Sequence, residues 1–200
     1  TSSTVEYNKA TNATTYNISP RSDYANLTVS GLDNNKAFIG ATAVSGTFTM
    51  NMTTSTSTST LTGCGYLTLG NGATIVRTSG AMDAAPTFGS TVNVSYNGST
   101  AIVSGFEIPT GSSVLNNLTT ANAGGVTLGG NTSVNGTLTL TSGALSVASN
   151  TLTINGTVSS TSGTISGTST SNLYLYGSSA GPVTLPFGAS ASFNNIIINN

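Results

Sequence analysis

Apolar and polar residues alternate along most of this chain. Gly136-Thr137-Leu138-Thr139-Leu140 and Asn150-Thr151-Leu152-Thr153-Ile154 place aliphatic side chains on one side of an extended backbone and hydroxyls on the other. Asn172-Leu173-Tyr174-Leu175-Tyr176, Val183-Thr184-Leu185 and Ile196-Ile197-Ile198 are further short strand candidates. A period of two with β-branched enrichment predicts half-buried strands. Asn-Gly pairs at Asn135-Gly136 and Asn155-Gly156 mark turns between them. No window carries an apolar stripe of helical period, so the chain is expected to be all-β.

Spacing predicts how the strands are arranged. Val126, Leu145, Thr164-Ile165 and Val183 recur about every 19 residues, Leu118, Leu138 and Val158 about every 20, and Leu152 and Leu173 are about 21 apart. Several strand sets sharing one interval, with about three strands in each, predict a right-handed parallel β-solenoid. At about 20 residues per coil the chain would form roughly ten coils, stacked about 4.8 Å apart. A β-sandwich is the alternative, because it too uses many short strands.

A longer repeat overlies the coil. Ser3-Thr4-Val5-Glu6-Tyr7-Asn8 parallels Ser90-Thr91-Val92-Asn93-Val94-Ser95-Tyr96-Asn97. Ala25-Asn26-Leu27-Thr28 parallels Asn116-Asn117-Leu118-Thr119, and again Asn194-Asn195-Ile196. Val44-Ser45-Gly46-Thr47-Phe48-Thr49-Met50 parallels Val134-Asn135-Gly136-Thr137-Leu138-Thr139-Leu140, and Leu67-Thr68-Leu69 parallels Leu152-Thr153-Ile154. The expected organisation is one continuous solenoid: a first super-repeat at 1–89 with less regular coils, then a second and the start of a third at 90–200. The run at 11–20 and the tract Thr53 to Thr60 depart from the regular pattern. Ile196-Ile197-Ile198 has no polar coil after it, and an open solenoid end invites pairing. Neighbouring repeats or further copies of the chain are therefore the expected partners. The N-terminus has neither Met nor a signal-peptide pattern and reads as processed or excised from something longer.

Taken in order, Ser-Thr-Val-x-Tyr-Asn, Asn-Asn-Leu-Thr, Gly-Gly-Val-Thr-Leu, Val-Asn-Gly-Thr-Leu-Thr-Leu-Thr-Ser-Gly and Asn-Thr-Leu-Thr-Ile-Asn-Gly occupy 90–97, 116–119, 124–128, 134–143 and 150–156. This order resembles repeats of very large Bacteroidota cell-surface proteins, strongly from 90 to 200 and more loosely before. The resemblance implies a structural repeat segment of an extracellular adhesin or stalk, exported by the type IX secretion route. Nothing here matches the C-terminal signal of that route.

Charge narrows the function classes. The 200 residues hold four basic and five acidic side chains and no His, so charged residues are 4% of the chain against roughly 25% in ordinary soluble domains. They are Glu6, Lys9, Arg21, Asp23, Asp33, Lys36, Arg77, Asp83 and Glu107. Four cations cannot neutralise a phosphate backbone, which argues against nucleic acid. No apolar run approaches the roughly 20 residues of a spanning helix. A neutral hydroxyl and amide surface suits exposure to an uncontrolled medium, and the localisation expected from it is extracellular.

Candidate chemistry is sparse. Without His there is no imidazole base, and the five acids are spread over different coils; Asp23 and Asp33 read as solvated loop acids. Gly124-Gly125-Val126-Thr127-Leu128-Gly129 has the glycines of a calcium-binding nonapeptide without its Asp, leaving only backbone carbonyls with Asp33 or Asp83 for a cation. Gly70-Asn71-Gly72 reads as a tight turn rather than a phosphate loop. Cys64 reads as a small buried hydrophobe. No catalytic, cofactor or metal residue is assigned, and the chain is expected to be non-enzymatic.

Three features keep a binding alternative open. The pairs Thr47/Thr49, Thr137/Thr139 and Thr151/Thr153 could order water or ice, but Thr137 and Thr151 are not one coil apart, so these read as solvated strand faces. Thr53 to Thr60 could carry sugars. The Asn-x-Ser/Thr sequons at Asn12, Asn26, Asn97, Asn117, Asn135 and Asn155 follow from composition. Exposed tyrosines could stack on sugar rings, although Tyr7 and Tyr96, at equivalent places, point to packing on a neighbouring coil. Surface glycans are accordingly the alternative partner.

Overall fold

The computed structural model describes residues 3–8, 16–32, 36–53, 59–177 and 184–199. The alternating segments form short strands, and every strand pairing given for the described residues is parallel. The only helical element among them is one 3₁₀ turn, Cys64–Tyr66. The fold is a parallel β-solenoid, and the two antiparallel layers of a sandwich are overturned. The chain divides into two compact units, Thr1–Asn93 and Val94–Asn200.

In the first unit the chain passes in each turn through three strand positions, here called the first, second and third faces. The first face stacks Thr4–Asn8, Asn26–Leu32, Thr47–Thr53 and Ala73–Ser79. Leu27 lies over Phe48 and Phe48 over Ile75, all wholly buried. The second face pairs Tyr16–Ile18 with Lys36–Phe38, and Thr60–Leu61 with Ala81–Met82. The third pairs Thr42–Val44 with Leu67–Leu69.

The second unit repeats the plan with greater regularity. Its first face includes Leu115–Ala121, Thr137–Ser142 and Thr157–Ser160. Its second stacks Ile102–Val103, Val126–Thr127, Ala144–Ser146 and Thr164–Ser166. Its third stacks Thr132–Val134, Thr151–Ile154, Asn172–Leu175 and Asn195–Ile198. Leu118 pairs with Leu138 and Leu138 with Val158; Val126 pairs with Leu145 and Leu145 with Ile165; Leu152 pairs with Leu173. These are the ladders that the spacing predicts, except that Val183 lies outside the described residues. Each wholly buried Leu or Ile contributes about 1.5–3 kcal/mol, and the ladder arrangement delivers that burial once per turn.

Turn length is not constant. Val126 and its partner Leu145 are close in sequence, whereas Asn51 pairs with Ser79, 28 residues on. Among the described residues the turns average about 21 residues and number about eight, not ten, because longer corner segments consume chain without adding a turn. Where two turns approach most closely at a corner, only glycine fits. A Cβ at Gly156 would collide with the carbonyl oxygen of Gly136, and one at Gly177 with that of Gly156.

Sequence similarity does not always match position. Asn194-Asn195-Ile196 reads like 116–118, but Asn195–Ile198 stacks on the third face, over Asn172–Leu175, and Leu115–Ala121 belongs to the first. Ile196, Ile197 and Ile198 are 46%, 43% and 62% exposed.

Candidate functional site

Arg21 Nε donates to Asp23 Oδ1 at 2.8 Å in an exposed pair. Glu6 accepts from Ser30 Oγ of the next turn. The Asp83 carboxylate accepts the backbone N–H groups of Gly63 at 2.8 Å and Cys64 at 3.0 Å. Partial burial raises its pKa, but these hydrogen bonds outweigh that, and its pKa lies below the ordinary carboxylate value. Glu107 is wholly buried. Lys36 and Arg77 are buried as well. Asp33, with the expected approach to Asp23 and the cation considered there, and Lys9 lie outside the described residues. Among the described residues no group of three or more His, Cys, Asp or Glu side chains converges.

Cys64 is buried and free, as expected, and its Sγ donates to the Leu61 carbonyl. Burial first, and the neighbouring Asp83 carboxylate second, push its thiol up to about 12. Gly70-Asn71-Gly72 is a turn, closed by the Ala73 N–H to the Gly70 carbonyl.

The sequons have a structural role that composition hides. Asn26 Oδ1 accepts the N–H of Thr47, and Asn117 Oδ1 accepts the N–H of Thr137, each one turn on. Asn135 donates through Nδ2 to the carbonyls of Ser112 and Leu115, and Asn155 donates through Nδ2 to Asn135 Oδ1. Amides at the corners thus tie each turn to the next and satisfy backbone groups there. A periodic Asn at one-coil spacing was the available signal. Asn12 and residues 54–58 of the Thr-rich tract lie outside the described residues.

The threonine pairs are more regular than their sequence order suggests. Thr137 lies over Thr157, with the hydroxyls 3.0 Å apart, and Thr119, Thr139 and Ser159 form the adjacent row. Thr151 belongs to another face, so its distance from Thr137 carried no information about recurrence. The tyrosines Tyr7 and Tyr24 share a hydroxyl hydrogen bond of 2.8 Å, and Tyr7 meets Tyr16 edge-on. Tyr96 is wholly buried.

A recess lies in the second unit. It holds about 250 Å³ and lies on the third face, where Pro109, Thr110, Gly111 and Ser112 form a ledge in place of a strand. Ser133, Thr151 and Thr153 line it. They alternate with the buried Thr132, Val134, Leu152 and Ile154 and so present their hydroxyls outward. Thr132 and Asn131 complete the lining, Asn131 Oδ1 accepting the Thr151 N–H at 2.9 Å. None of these side chains is ionisable.

No protein-family model, curated protein or solved structure matches the chain.

Proposed function

We propose that the chain is a non-catalytic structural repeat segment of an extracellular surface fibre, stalk or adhesin, stacked with neighbouring repeats. The observation that supports this reading is the division of labour in the second unit. Its turns stack in register on aliphatic ladders, and Glu107, the single Asp, Glu, Lys or Arg side chain in Val94–Asn200, is wholly buried. The exterior of that unit therefore carries no ionised side chain. Such a surface neither titrates between acid and neutral pH nor responds to ionic strength, since screening acts on charges. Extracellular media vary in both. Parallel backbone ladders supply stiffness from hydrogen bonds shared by every turn, and further turns extend the same pattern without a new core.

Antibodies against the chain test the reading directly. Intact cells of its source should be labelled, with gold particles standing off from the envelope, and brief surface proteolysis should remove the label. Labelling only after permeabilisation would overturn the proposal.

A further inference from the structure

We infer that the recess at the Pro109–Ser112 ledge is a binding site for an uncharged saccharide, one ring in the recess and the next over Tyr174. The ledge is held rigidly. Glu107, Ile108 and Pro109 are buried, Glu107 Oε1 accepts the Gly105 N–H at 3.0 Å, and Asn135 Nδ2 holds the Ser112 carbonyl at 2.9 Å. A preformed wall loses little freedom when a ligand arrives.

The floor offers the chemistry of sugar recognition. Ser133, Thr153 and Tyr174 are register neighbours on successive strands, forming one outward column. Hydroxyls both donate and accept, which matches the hydroxyls of a sugar ring. Asn131 adds an amide whose oxygen is already committed to Thr151, leaving the Nδ2 amino group as a donor. Tyr174 is half-buried and lies beside Tyr176, with ring centroids 6.2 Å apart; an aromatic face of this kind packs on the C–H surface of a pyranose. At about 250 Å³ the recess is smaller than the roughly 300–1,000 Å³ of pockets that enclose drug-sized ligands, so it suits a single ring of a longer chain.

Charge excludes competing ligands. With no Lys or Arg anywhere in Val94–Asn200, a phosphate, sulfate or uronate entering the recess would lose hydration without gaining a cationic partner. The site does not depend on the stalk reading, and the immunolabelling above leaves it untouched.

The test titrates the full chain, by calorimetry and ligand-observed NMR, with cellohexaose, maltohexaose, mannohexaose and chitohexaose, and with a galacturonate hexamer as the charged counterpart. At least one neutral hexamer should bind with a Kd of about 0.1–1 mM, unchanged by added salt, with the galacturonate hexamer at least about tenfold weaker. Thr153→Val keeps the branched shape and removes one hydroxyl; it should weaken binding about tenfold. Ser133→Ala is the second probe should Thr153→Val fold poorly. Thr139→Val, on the first face, should leave the affinity unchanged. Absence of binding by all four neutral hexamers up to about 10 mM, equal affinity for galacturonate, or equal losses in Thr139→Val and the recess variants would each overturn the site.

Discussion

The Tyr96 phenol donates a 2.7 Å hydrogen bond to Glu107 Oε1, and both side chains are wholly buried. Tyr96 ends the strand Val92–Tyr96 and Glu107 precedes the ledge, so the bond ties the start of one turn to the segment that closes it. Burying a polar side chain is costly unless it is hydrogen-bonded, and Glu107 Oε1 also accepts the Gly105 N–H. Tyr96→Phe removes one donor while keeping the ring. It should destabilise the chain by about 1–3 kcal/mol, measured as a lowered urea midpoint at unchanged slope. An unaltered midpoint would show that the bond adds nothing to stability.

Asp83 sets an acid response. Its pKa in the folded chain is lowered, because the Gly63 and Cys64 N–H groups stabilise the carboxylate beyond the opposing effect of burial. A group whose pKa falls on folding contributes stability that is complete above its unfolded value, about 3.9, and that is lost as pH drops through the folded value. Urea midpoints should therefore decline below about pH 4. Asp83→Asn should lower the midpoint at pH 7 and flatten that decline, and parallel curves for the two proteins would contradict the assignment. Asp83 is exposed, so the effect should be small.

The corner glycines predict a contrast between chemically identical changes. Gly156→Ala forces a methyl into the Gly136 carbonyl oxygen, whereas a Cβ at Gly130 meets nothing within 4 Å. The first should cost about 3 kcal/mol or more, as overpacking against fixed backbone does. The second should be neutral or stabilising by up to about 1 kcal/mol, through the unfolded chain. Thermal melts of the two variants decide it; equal midpoints would mean that the corner relaxes freely.

Much of the architecture is legible in sequence because a solenoid converts linear spacing into contact. Leu118, Leu138 and Val158 stand one coil apart in the chain and one strand apart in space. The same rule located Leu152 under Leu173. Thr137 and Thr151 misled because they lie on different faces of one coil, and their separation carries no vertical information. The burial of Lys36 and Glu107 was illegible too: which way a lone charged side chain points is fixed by its place in the turn, and residue type alone does not give that place.

By itself, then, the sequence determined that the chain forms strands, which side of each strand faces inward, the interval at which the chain returns, and how little charge it can display. Those properties follow from residue order along one dimension. Only the tertiary structure decided which threonines stand above one another, how asparagines bind turn to turn, and that Pro109–Ser112 replaces a strand with a ledge above Ser133 and Thr153. Corner segments of unequal length set those meetings, and their length alters vertical register without leaving a mark in the alternation of apolar and polar residues.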